Sequence, residues 1–224
     1  MTGTIEPTPL HRLFALLPGT LRDKGYSAPA QLIVSTNYDD LLEQSFRAAN
    51  EPYDLVCYVA EGELRGKFLH ERPGQAPVVI EKPNEYRGLP ADKGTVILKI
   101  HGAVDRTDPD RDSYVITEDH YIDYLTHTDI SNLVPVTLAA KLKRSHFLFL
   151  GYGLRDWNLR VILHRIWGEQ KLTYKSWAIQ LHPSPLDTEY WRKRDVDILD
   201  IQLDDYVSAV TERIRALEPA GGAR

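Results

Sequence analysis

The chain alternates short apolar runs with amphipathic stretches, and three of the apolar runs end in residues equipped for chemistry. Leu32-Ile33-Val34 leads into Ser35-Thr36-Asn37-Tyr38-Asp39-Asp40, Thr95-Val96-Ile97-Leu98-Lys99-Ile100 leads into His101-Gly102, and Phe147-Leu148-Phe149-Leu150 leads into Gly151-Tyr152-Gly153. Short apolar runs bounded by turn residues read as buried strands. Further strands are predicted at 54–60, 78–80, 114–116, 176–181 and 196–201. Apolar residues recur at helical spacing over 9–21, 39–49, 133–144, 156–167, 185–194 and 203–217, and Asp39 or Asp40 stands where it can cap the second of these helices. Strands alternating with amphipathic helices predict an α/β, Rossmann-like fold: a mostly parallel sheet with helices on both faces.

One domain is expected over residues 1–218, with a disordered tail at 219–224. The stretch 61–94, rich in glycine, proline and charge, is expected to be a surface excursion with one short strand at 78–80. Open sheets of this class bind ligands beyond the carboxyl ends of their strands, which is where Asn37, His101 and the glycine turn fall.

Composition narrows the function. A chain of 224 residues, 42% hydrophobic and 26% charged, can bury a full core. A formal net charge of -5 argues against nucleic-acid binding, which needs a concentrated basic face. Lys141, Lys143 and Arg144 read as a solvated helix end. The single cysteine, Cys57, excludes an internal disulfide and any multi-cysteine zinc site, and no apolar run is long enough to cross a membrane. The expectation is a cytoplasmic protein. His120 and His127, near Asp119 and Asp123, read as a solvated helix face rather than a metal site. No nucleophile elbow of the glycine-x-serine-x-glycine kind occurs.

Each strand end has a plain and a chemical reading. Asn37 is either a helix cap or a carboxamide that donates and accepts at once, suited to a sugar hydroxyl or a held water. His101 is either an ordinary loop histidine or, leaving a buried strand directly into glycine, an imidazole set over the sheet edge. Gly151-Tyr152-Gly153 makes either a tight turn or a backbone cradle for phosphate.

The strings STNYDDLLEQSF, ILKIHGAVD, SYVITEDHY and FLFLGYGLRDWNLRVIL, in this order, resemble the sirtuin-like domains of bacterial antiphage defence proteins. The resemblance covers about Leu32 to Leu217. Sirtuins carry a threonine-glutamine-asparagine-isoleucine-aspartate motif and a later histidine-glycine; Ser35-Thr36-Asn37-Tyr38-Asp39 and His101-Gly102 stand in those places here. The resemblance implies NAD as substrate, with Asn37 and His101 as the catalytic pair. It implies that Thr36 and Asp39 contact the cofactor, Asp39 at the nicotinamide-ribose half, and that Gly151, Tyr152 and Gly153 lie beside the adenosine ribose. Asp156 then either binds the cofactor or caps helix 156–167, and Trp157 and Arg160 serve helix packing and a structural ion pair.

Departures from the family pattern select the activity. Deacetylating sirtuins hold zinc on four cysteines, and this chain has one, so the expectation is NAD hydrolysis with water as acceptor, no zinc, and a role in antiphage defence by NAD depletion. Thr36 replaces the family's glutamine. The family's opening strand and glycine-alanine-glycine turn are not found before Leu32, so a fragment, a misplaced start or loss of the phosphate loop is expected, together with an uncovered sheet edge that a partner chain or a second copy would cover. Two other readings stay open: a catalytically silent module binding NAD, ADP-ribose or a protein, and an ADP-ribosyltransferase.

Overall fold

The structure, a computed structural model, describes residues 5–28, 30–90, 92–106, 112–115, 134–152, 160, 163 and 174–220. Its helices are α1 (Pro9–Asp23), α2 (Leu41–Ala48), α3 (Val136–Lys143), α4 (Pro185–Arg192) and α5 (Leu203–Arg215). Strands β1 (Gln31–Ser35), β2 (Tyr53–Tyr58), β3 (Phe68–Glu71), β4 (Val78–Ile80) and β5 (Thr95–Lys99) form one sheet in the order β1-β5-β2-β3-β4. A two-stranded ribbon joins β6 (Gly102–Ala103) to β7 (Ser113–Tyr114), and β8 (Leu148–Leu150), β9 (Ser176–Gln180) and β10 (Val196–Asp200) make a parallel sheet in the order β10-β9-β8.

Strand β5 is central, parallel to β1 and β2 on its two sides and buried at every residue. That is why its sequence is apolar throughout rather than alternating. One face of this sheet packs Ile33, Ile97 and Leu55 against Phe14 and Ala15 of α1 and Leu42 and Phe46 of α2. The other face belongs to a larger core in which Val56, Val96 and Leu98 meet Phe149, Ala178 and Val196 of the second sheet, Leu138 and Leu142 of α3 and Trp191 of α4. The two sheets thus share one core, with helices on both faces as the alternating pattern predicts.

Local chemistry sets the element ends. Pro9 opens α1 behind Thr8, whose hydroxyl and His11 form a reciprocal cap. Ser184 caps α4, its Oγ accepting from the Asp187 amide at 3.1 Å, and Asp204 and Asp205 stand in the first turn of α5 against the helix dipole.

The excursion at 61–94 carries more order than expected. Besides the foreseen β4 it holds β3, and the two pair antiparallel to extend the sheet beyond β2. Phe68, Leu69, His70 and Ile80 are buried there. His70 is held by Asp54 at 2.6 Å through Nε2 and by the Tyr86 hydroxyl at 2.6 Å through Nδ1, and Arg72 closes the group on Asp54 at 2.7 Å. At the other terminus, the Ala220 amide donates to the Lys24 carbonyl at 2.7 Å, the Tyr26 hydroxyl donates to the Glu218 carbonyl at 2.8 Å, and Lys24 Nζ donates to the Leu217 carbonyl at 2.7 Å. The chain is therefore tied down into the start of the expected tail.

Candidate functional site

Asn37 and His101 are neighbours by strand pairing. In the parallel ladder of β1 and β5, Ser35 stands opposite Lys99, so each candidate residue lies two positions beyond a paired residue on adjacent strands. The Ile100 amide extends the ladder by donating to the Ser35 carbonyl at 3.1 Å. Beyond it, the Val104 amide donates to the Tyr38 carbonyl and the Val115 amide to the His101 carbonyl, both at 2.8 Å. The Tyr38 hydroxyl donates to the Val115 carbonyl at 2.8 Å, and its ring meets Tyr114 edge-on with centroids 5.2 Å apart. Three segments, 35–40, 100–104 and 112–115, are laced into one platform.

Within it, the Asn37 side chain is exposed while its amide donates to Ser35 Oγ at 3.1 Å. Thr36 and Asp39 are half-buried, and His101 is buried, at 5% exposure. Of the two carboxylates able to start α2, Asp39 takes the role: its Oδ1 accepts from the Leu41 amide at 3.1 Å. Asp40 instead accepts from Gln44 Nε2 at 2.7 Å, with Arg47 at 3.4 Å and Arg106 at 3.6 Å.

Gly102 makes the His-Gly turn possible. Its φ is +88°, and a Cβ there would fall 2.0 Å from the Ser113 carbonyl oxygen. The glycine lets β7 cross close behind His101, and the Ser113 hydroxyl accepts from the Ala60 amide at 2.6 Å to anchor that crossing on the main sheet.

Charges missed by the sequence reading lie beneath the platform. Lys99, 1% exposed, forms an ion pair with Glu43 at 2.7 Å and donates to the Asp39 carbonyl. His11 of α1 sits near both: burial lowers its pKa, Asp39 pulls it up and Lys99 pushes it down. Cys57, opposite Lys99 across the ladder, is held as a thiol, burial pushing its pKa up to about 12. A lysine closing an otherwise apolar central run, and a glutamate on the apolar face of α2 among Leu42 and Phe46, were the available signals for the buried pair.

The third strand end is carried by the other sheet. Gly151 follows β8 with φ +66° and is exposed; Tyr152 is half-buried and packs against the larger core. Gly153, Asp156, Trp157, His120 and His127 lie outside the described residues. Arg160 pairs with Asp187 at 3.7 Å and lies over the rings of Tyr190 and Trp191, in keeping with a structural role. Among the described residues there is no cluster of three or more histidine, cysteine or acidic side chains able to hold a metal, and no helix long and apolar enough to cross a membrane.

An exposed asparagine and a buried histidine at adjacent strand ends suit orientation of a polar substrate and proton acceptance at its hydroxyl or at a water. A family model described as the SIR2-like domain matches residues 31–199, a span that takes in both strand ends and the Gly151 turn. The chain belongs to the SIR2-like domain family. This SIR2-like domain is 26% identical over 185 residues to "Defense-associated sirtuin 2" of Bacillus subtilis, a match covering 80% of the chain and 15% of that relative. It is 29% identical over 161 residues to "NAD(+) hydrolase ThsA" of Acinetobacter baumannii (strain 532279), covering 72% of the chain and 25% of the relative. It is 31% identical over 140 residues to "NAD(+) hydrolase ThsA" of Enterococcus faecium, covering 62% of the chain and 23% of the relative. The SIR2-like domain thus spans a quarter or less of the length of these curated relatives.

Proposed function

We propose that this domain hydrolyses NAD at the nicotinamide–ribose bond, with Asn37 and His101 as its catalytic pair, and that it serves as the effector domain of an antiphage defence protein acting by NAD depletion. The observation that carries this reading is the pairing of β1 with β5, which sets Asn37 and His101 two residues past adjacent ladder positions. The names of the relatives, two of them NAD(+) hydrolases and one a defence-associated sirtuin, support it.

Departure of nicotinamide leaves a ribose carbon with cation character, so the site must hold the ribose, tolerate positive charge and deliver water. Asn37, exposed and with its backbone fixed by Ser35, orients the ribose and the attacking water. His101 accepts the proton from a ribose hydroxyl or from that water as the new C–O bond forms. Asp39 adds negative potential beside the nicotinamide-ribose half, Thr36 lines it, and Gly151 and Tyr152 take the adenosine side, with Gly153 and Asp156 continuing that motif. Water rather than acetyl-lysine is the acceptor, because a chain whose only cysteine is buried Cys57 has no four-cysteine zinc module of the deacetylase kind.

Purified protein incubated with NAD should release nicotinamide and free ADP-ribose, resolved by chromatography. ADP-ribose found attached to protein or nucleic acid would replace the hydrolase with a transferase. Binding of NAD without release would leave a silent binding module.

A partner strand belongs to the same proposal. Among the described residues β1 pairs in its sheet with β5 alone and β8 with β9 alone, and each strand leaves an apolar side chain exposed, Val34 and Leu148. A strand from a second copy or another chain would cover such edges. Light scattering that shows a monomer for the isolated chain, with no change on adding its natural partners, would contradict this.

A further inference from the structure

The buried pair Lys99–Glu43 lies where the two catalytic segments meet. Lys99 is the last residue of β5, two before His101; Glu43 is in the first turn of α2; and the carbonyl that Lys99 also contacts belongs to Asp39, two residues after Asn37. One ammonium group therefore joins the strand end carrying His101, the loop carrying Asn37 and Asp39, and the helix that loop enters. Its Nζ is 2.7 Å from Glu43 Oε1, and the two side chains are 1% and 4% exposed. Glu43 Oε2 is buried without a hydrogen-bond partner, so the pair is not built for maximal stability.

Burying two charges carries a desolvation penalty that a single ion pair seldom recovers, and well-packed apolar residues in the same space are often as stable or more so. A pair kept in such a place, bonded to the backbone of the catalytic loop rather than to surface groups, points to a geometric role. We propose that Lys99 and Glu43 are positioning residues: a charged clamp that fixes the loop 36–40 against the end of β5 and so sets the spacing of Asn37 and His101. Neither residue touches substrate. Lys99 acts through the Asp39 carbonyl, and Glu43 holds the ammonium where that contact is made. The loop has other ties, the Val104 amide to the Tyr38 carbonyl, the Tyr38 hydroxyl to the Val115 carbonyl and the Leu41 amide to Asp39 Oδ1, but none of these comes from β5. Lys99 reaches across from β5 with its side chain.

The inference rests on the hydrolase reading for its catalytic consequence but not for its structural one, and the test separates the two. The variant to make is Lys99→Met with Glu43→Leu, which leaves no unpaired buried charge; Lys99→Met alone, which strands the Glu43 carboxylate, is the destabilised control. The double variant should melt at or above the parent's temperature while kcat for NAD falls at least tenfold and KM changes less than threefold. Hydrogen exchange at the Leu41 and Val104 amides should accelerate at least tenfold, with the β9–β10 amides unchanged. A folded double variant with parental kcat and parental exchange at Leu41 and Val104 would overturn the clamp. Should the parent itself show no turnover, the hydrolase reading fails on that result, and the exchange at Leu41 and Val104 alone decides the clamp.

Discussion

The two glycine turns that close β5 and β8 look alike in sequence and are built on different physics. Both glycines have positive φ, +88° at Gly102 and +66° at Gly151. At Gly102 an added Cβ would sit 2.0 Å from the Ser113 carbonyl oxygen, inside the backbone of β7. At Gly151 it would lie 3.6 Å from Leu203 Cδ2, an ordinary contact with a side chain that can give. The first glycine is required by space and conformation together, the second by conformation alone. The proposed site would therefore have a rigid half, His101 with Asn37, and a more permissive half at the end of β8.

Substitutions should separate the halves in order of size. Gly102→Ala drives a methyl group into backbone and should cost about 3 kcal/mol or more, seen as a loss of soluble protein or a large drop in denaturant midpoint. Ser113→Ala strands the Ala60 amide, which is buried beneath β7, and should cost about 1–3 kcal/mol in the same assay while leaving the β8 half untouched. Gly151→Ala should cost about 1–2 kcal/mol, the ordinary penalty of a left-handed backbone. Equal losses at Gly102 and Gly151 would erase the distinction.

A smaller effect concerns pH. Burial holds His11 below its usual pKa of 6.5, against the pull of Asp39 and with the help of Lys99. The folded protein therefore binds the His11 proton less readily than the unfolded chain. Its contribution is present above about pH 6.5 and is lost as pH falls from there through the folded value. Urea melts from pH 7.5 down to 5.5 should show that decline, and His11→Gln should flatten it; an unchanged slope in the variant would remove His11 from the account.

Much of this architecture was legible because it obeys simple periods. Buried parallel strands are continuous apolar runs, so β1, β5, β9 and β10 were read to within a residue at most points, and α1 to α5 emerged from 3.6-residue spacing, while the helix expected at 156–167 falls largely outside the described residues. The family resemblance located Asn37 and His101, and strand pairing brought them together. What was not legible depends on contacts distant in sequence. Strand β3 is four residues long and contains His70 and Glu71, and its buried imidazole is satisfied from both sides by Asp54 and Tyr86. Lys99 reads as a charge ending a strand, and only the fold shows Glu43 waiting across from it. Ser113 gives no signal at all, because its importance lies in the amide it meets 53 residues away.

The most direct measurement is the rate of NAD cleavage by the parent, Asn37→Ala, His101→Ala and the double variant under one set of conditions. Residues that act as one unit are strongly non-additive. The account predicts that each single variant loses at least about 100-fold in kcat, with the double variant within a few-fold of the worse single. Parental rates in both single variants, in folded protein, would contradict it.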